Sequence, residues 1–130
     1  MGNDAKQAGP GDELTGRIIG AAIEVHKHLG PGLLESIYEE ALAIELGLRG
    51  LALERQKEVD VTYKGHLIKG QRLDLVIEGS VVVEIKSARR VDDACVAQVL
   101  SYLKSTGLRR ALLINFGEPR LVDGIQRFSV

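Results

Sequence analysis

The run Asp74-Leu75-Val76-Ile77-Glu78-Gly79-Ser80-Val81-Val82-Val83-Glu84-Ile85-Lys86 sets ionisable side chains into otherwise apolar stretches. In an extended strand residues two apart share a face, so Glu84, Lys86 and Val82 point one way while Val81, Val83 and Ile85 point into the core. Asp74 and Val76 likewise point away from Leu73, Leu75 and Ile77. For the two apolar sets to lie on one side of a sheet, Glu78-Gly79-Ser80 must be a three-residue loop with Asp74 opposite Glu84; a two-residue loop would pair Asp74 with Ile85. The register then brings the two carboxylates within roughly 5 Å at Cβ. Carboxylates that close repel unless a cation or a proton sits between them. Oxygen-only ligands suit Mg²⁺ or Mn²⁺ rather than zinc, and Mg²⁺ keeps waters that can act on a phosphate. Lys86 could hold or deprotonate such a water, or neutralise charge growing on the phosphate. The same register sets Arg72 opposite Lys86, a like-charge pair that would favour an anion between them.

A Glu-x-Lys triplet is common by chance, and a solvated strand face is its bland explanation. Other residues add weight. Gln98 and Tyr102 lie four apart beside the Cys95, Val99 and Leu103 stripe of a predicted helix, so both can lean toward the polar edge of the sheet. Glu35 and Tyr38 form a similar pair one helical turn apart, with the acid in a first turn, where it is also favoured by the helix dipole. His26, His28 and His66 have no cysteine or further histidine at zinc spacing. The lone Cys95 reads as a small core hydrophobe.

The elements that would carry these residues follow from periodicity. Leu14, Ile18, Ala21, Ala22, Val25 and Leu29 recur at steps of three and four and predict a helix over 13–29, stopped by Gly30-Pro31-Gly32. A second helix over 33–46 has Leu34, Ile37, Ala41 and Ile44 as its apolar stripe, with Gly47 or Gly50 at its end. The period then changes to two. Strands are expected over 58–63 and 66–69 around Lys64-Gly65, then over 71–77 and 81–87 around the Glu78-Gly79-Ser80 loop. Asp92 and Asp93 offer N-cap chemistry for a helix to Thr106, ended by Gly107, before strands near 111–115 and 125–128. The expected fold class is α/β (α+β), a mixed sheet flanked by helices in the order ααββββαββ.

At 130 residues, 45% hydrophobic and 27% charged, the chain fits one globular domain over 12–130, preceded by a loose tail over 1–11. No apolar run approaches a membrane span, and the Gly-, Asp- and Gln-rich start has no secretory pattern, so a cytoplasmic location without membrane association is expected. The net charge of −1 hides an asymmetry: residues 1–60 carry 6 basic and 11 acidic side chains and residues 61–130 carry 11 and 7, a balance of −5 against +4. A basic half can attract a polyanion if its charges share a face. Aromatic residues are only 4%, so backbone contacts rather than base stacking would dominate.

Gly32-Leu33-Leu34-Glu35-Ser36-Ile37-Tyr38 is a full G-x-x-E-x-x-Y match, strengthened by the preceding Ile23 to Pro31. On these residues the chain resembles the GxxExxY proteins and, through them, the PD-(D/E)XK nuclease superfamily, over about Leu14 to Phe128. The resemblance implies a nuclease-like fold and metal-dependent hydrolysis of nucleic-acid phosphodiesters, with Mg²⁺ or Mn²⁺ as cofactor and DNA ahead of RNA as substrate. Asp74 matches the metal-binding Asp, Glu84 and Lys86 match the (D/E)-x-K, and Glu35 matches the helical acid. The backbone carbonyl of Ile85 joins Glu35, Asp74 and Glu84 as an implied metal ligand. Gln98 and Tyr102 match the Q-x-x-x-Y helix of the RecB-like branch, which orders the site and its phosphate contacts. Leu73 replaces the nominal Pro before Asp74. The alternative is a catalytically idle nucleic-acid-binding or protein-interaction module on the same fold. A third reading requires a homo-oligomer or a protein partner, since no separate target-recognition domain fits.

Overall fold

A computed structural model describes residues 10–130, with side chains from residue 12 onward. Most of the tail expected over 1–11 lies outside the described residues, but Pro10 and Gly11 already belong to the first helix. The elements are α1 (Pro10–Leu29), α2 (Glu35–Leu48), β1 (Leu53–Tyr63), β2 (His66–Ile77), β3 (Val81–Lys86), α3 (Asp93–Thr106), β4 (Arg110–Asn115), a 3₁₀ turn (Leu121–Gly124) and β5 (Ile125–Ser129). The strands form one sheet in the order β1-β2-β3-β4-β5, with β3 and β4 parallel and every other pair antiparallel. This is the mixed α+β architecture expected, with one correction to the strand count.

The segments 66–69 and 71–77 are one strand, not two. Gly70 sits inside it at φ 123°, where the β1–β2 register slips between Val59 and Val61. A glycine bulge absorbs the extra residue, so the ladder bends without breaking. The β2–β3 ladder is much shorter, from Leu75↔Val83 to Ile77↔Val81. The β1–β2 ribbon beyond Leu75 therefore runs free of β3.

Both faces of the sheet are covered. Leu75, Ile77, Val81, Val83, Ile85, Leu112 and Ile114 pack under α1 and α2. Val76, Val82, Ala111 and Leu113 pack on the other face under Val99, Tyr102 and Leu103 of α3. Two facts correct the alternation read from the sequence. The face bearing Glu84 is a second core rather than a solvated edge, and Leu73 joins that core with Val59 instead of following Leu75 and Ile77. Where the ribbon leaves β3 it curls toward α3, and the two-residue period does not survive that bend.

In α2 the sequence pointed to the wrong stripe. Tyr38, Glu39, Leu42 and Leu46 are the buried residues, while Ile37 and Ile44 face outward. The helix is apolar on two sides, and Tyr38 decides which side is inside by stacking on Phe116 at 4.5 Å. α3 begins and ends as its caps require: the Asp92 carboxylate accepts from the Cys95 amide, and Gly107 closes the helix at φ 74°. Among the described residues no helix is long and apolar enough to cross a membrane.

Candidate active site

The loop Glu78-Gly79-Ser80 has the expected three residues, with Glu78 and Gly79 both at positive φ. One step beyond Leu75↔Val83 in the same register sets Asp74 across from Glu84. Here the backbone ladder stops and a side chain continues it: Asp74 Oδ2 accepts from the Ile85 amide at 2.8 Å. Within a strand the N–H and C=O of one residue point to the same side. The Ile85 carbonyl therefore also faces the Asp74 edge, where β2 has begun to leave.

Glu84 is only 5% exposed, and its Oε1 has no hydrogen-bond partner among the described residues. Its other oxygen lies 3.7 Å from Lys86 Nζ. Burial, then the neighbouring Asp74 charge, push the Glu84 carboxyl up to about 8, against an opposing pull from Lys86. Asp74 also rises, chiefly through burial; the Ile85 amide, Gln56 and Lys86 hold it down, and Glu35 adds repulsion. At neutral pH such a pair holds a proton unless a cation takes its place. The donors are all oxygen and one buried oxygen is unsatisfied, so the pair fits a hard divalent ion. Among the described residues no three His, Cys, Asp or Glu side chains form a metal-holding group by themselves. Glu35 is felt by Asp74 but stands apart from it.

The remaining expected residues flank this pair. Tyr102 is buried on α3 facing it: burial raises its hydroxyl well above the ordinary value, the Glu84 and Asp74 charges add to that, and Gln98 opposes them. Gln98 is therefore beside Tyr102 and is itself exposed. Glu35 reaches the opposite flank because Tyr38 secures its turn. The Tyr38 hydroxyl donates to the Gly30 carbonyl and accepts from the Leu33 amide. Ser87, directly after Lys86, donates to the Leu33 carbonyl. A groove of about 720 Å³ lies between these segments, lined by Glu35, Ser87 and Arg89 among others.

One expectation fails. Arg72 does not confront Lys86; it pairs across β1–β2 with Glu58 at 3.3 Å, because the β2–β3 ladder has ended before it. His26, near the end of α1, has its Nε2 2.9 Å from the Glu118 carbonyl, which ties α1 to the turn after β4.

Three residues at the site escape sequence reading. Gln56 on β1 donates to Glu39 at 2.8 Å and to Asp74 Oδ1 at 3.4 Å, from a backbone at φ 50°. Glu39 is buried and also held by Arg55 at 3.1 Å. Asn115 is buried at the end of β4, where its amide bonds the N–H and C=O of Ala88 and the Gly117 N–H. Asn115 thereby fixes the chain leaving Lys86, and a β-carbon at Gly117 would collide with the Ala88 backbone. The signals in the sequence are weak: a strand glutamine, a second acid after Glu35 and an Asn-Phe-Gly turn.

A family model described as the PD-(D/E)XK nuclease superfamily matches residues 12–128. The chain belongs to this superfamily. The match runs from the first turn of α1 into β5 and includes both carboxylates and the lysine. Among solved structures, the crystal structure of SSO0001 resembles this PD-(D/E)XK chain with a TM-score of 0.53 at 22% identity. That resemblance, which concerns the fold, covers 72% of this chain and 48% of the other, so the chain spans about half the length of that protein. No curated protein matches the chain significantly. Members of this superfamily are in general divalent-metal-dependent nucleases, with nucleic acid as their substrate class.

Proposed function

We propose that this protein is a Mg²⁺- or Mn²⁺-dependent nuclease of the GxxExxY type, acting in the cytoplasm on DNA ahead of RNA. The observation carrying this reading is the pairing of half-buried Asp74 with buried Glu84, whose Oε1 has no partner among the described residues and whose other oxygen lies 3.7 Å from Lys86 Nζ. The residues that would hold the ion are Asp74, Glu84 and the Ile85 carbonyl, with Glu35 as a further acid on the groove side. When bound, the ion supplies Lewis-acid polarisation of the phosphate and a water of lowered pKa. Lys86, beside the Glu84 carboxylate, holds the attacking water in line and meets the negative charge that grows on the phosphate oxygens. Tyr102 and Gln98 support the pair from α3, and Asp74 is aimed by the Ile85 amide and Gln56.

The test separates binding from turnover. Cleavage of a labelled oligonucleotide is followed with Mg²⁺, Mn²⁺ or EDTA, beside calorimetric metal titration. Lys86→Ala should keep metal affinity near wild type and slow cleavage by about 10²–10⁴-fold, as removal of a proton-transfer group does. Glu84→Ala should lose both. Cleavage equal in all three proteins would trace the activity to a contaminant. Absence of cleavage in wild type with intact metal binding would instead support an idle binding module on the nuclease fold.

A further inference from the structure

α2 carries a second apolar stripe that the fold does not use. Leu34 is 73% exposed, Ile37 46%, Ile44 56% and Leu48 78%, with the half-buried Ala41 between them. Their spacing of three, four, three and four residues makes a straight seam along one side of a helix, the pattern that fits another helix. A helix that is apolar on opposite sides is ordinarily covered on both. Leu29 of α1 borders the stripe beside Ala41 and Ile44, and Leu33 is exposed just before Leu34. Together these residues expose on the order of 600 Å² per copy, at the top of what a monomer tolerates and near the ~800 Å² per partner of a standard interface.

The order of residue types says what the partner is. Read in either direction the stripe is Leu, Ile, Ala, Ile, Leu, centred on Ala41. Two copies of α2 crossing antiparallel at Ala41 would place Leu34 against Leu48 and Ile37 against Ile44 at both ends, as a two-fold isologous contact requires. The small central side chain lets the helix axes approach to about 8 Å. Charge agrees with self-association. Glu40 and Glu45 flank the seam, and each is already paired within its own chain, Glu40 with Arg55 at 3.0 Å and Glu45 with Arg49 at 2.8 Å. Two copies therefore meet with these two acids already neutralised, and Glu24 of α1, beside the same seam, has His28 at 3.6 Å, whereas the seam offers nothing to a strongly charged partner. Beside it, a hollow of about 270 Å³ between α1 and α2, floored by Val25, Ala41 and Ile44, would receive Ile37 of the second copy.

We infer that the protein is a homodimer formed by antiparallel packing of the Leu34-Ile37-Ala41-Ile44-Leu48 face of α2 on the same face of a second copy. Sedimentation equilibrium of the full chain should give twice the chain mass. Ile44→Glu and Leu48→Glu, both at exposed positions, should give the single-chain mass with wild-type circular dichroism. The geometry is read separately by cross-linking in a Cys95→Ser background. Leu34→Cys and Leu48→Cys proteins should form disulfide-linked dimers when mixed and few when oxidised alone. A wild-type monomer at all concentrations would overturn the proposal and leave the seam to a protein of different sequence. A dimer indifferent to both glutamates, or cross-linking of each cysteine variant with itself but not with the other, would overturn it too. Should the glutamate variants misfold, the cross-linking pattern alone decides.

Discussion

At the scale of single residues, the site is built from groups held in unfavourable states. Glu84 has an ordinary carboxyl value of 4.5 when unfolded and about 8 when folded. Between those values the folded chain keeps a proton that the unfolded chain releases, so the metal-free protein loses stability as pH rises through the window. In EDTA, the melting temperature should fall from pH 5 to pH 8.5, and Glu84→Gln should flatten much of that fall; parallel curves for the two proteins would contradict the assignment. Gln56 is the second such group. Left-handed backbone costs a non-glycine residue about 1–2 kcal/mol, and it persists only where the surroundings impose it. Gln56→Ala keeps that cost and loses the bonds to Glu39 and Asp74, whereas Gln56→Gly loses only the bonds. Urea unfolding should rank Gly above Ala by about 1 kcal/mol, with both below wild type. The Asp74–Glu84 facing was legible because two apolar sets fix a strand register. Gln56 was not, since nothing in a one-dimensional pattern marks a single residue forced to positive φ.

At the scale of elements, legibility depends on how many partners an element has. α1, α3 and the β2–β3 turn each have one dominant apolar set or a cap that fixes them, and their positions follow from sequence. α2 has two apolar sets, and the choice between them rests on a distant contact, Tyr38 on Phe116. The long β1–β2 hairpin was read as shorter pieces because Gly70 resembles a break and is a bulge. The end of β3 depends on an equally distant residue, Asn115. Its amide makes three bonds to the Ala88 and Gly117 backbone from a buried position, so Asn115→Ala leaves backbone groups without partners. The expected loss is about 3 kcal/mol or more in urea unfolding. Gln98→Ala, at an exposed helix position, should cost under about 0.5 kcal/mol. A small effect for Asn115→Ala would mean that water replaces the amide and that the exit from Lys86 is not held from β4.

At the scale of the whole molecule, charge and shape converge on one side of the sheet. The basic half of the chain includes the segment Ser87-Ala88-Arg89-Arg90 that follows the lysine of the site, and both arginines are exposed. Arg89 lines the groove that runs from this segment to Glu35. Glu35 is acidic and stands where a metal would compensate it, so the arginines, rather than the groove as a whole, would meet phosphates flanking the cleaved bond. Phosphate contacts by exposed arginines act through release of counterions, each lowering the slope of log K against log salt by about 0.7–0.9. Arg89→Ala/Arg90→Ala should therefore weaken oligonucleotide binding in EDTA at low salt and reduce that slope by about 1.5, with little dependence on sequence. Stability should barely change, because both residues are exposed and neither is ion-paired among the described residues. The comparison is a fluorescence-anisotropy titration at several salt concentrations for wild type and the double variant. Unchanged affinity and slope would move the nucleic acid to another face of the molecule, whereas weaker binding with an unchanged slope would indicate a non-electrostatic contact at the same groove.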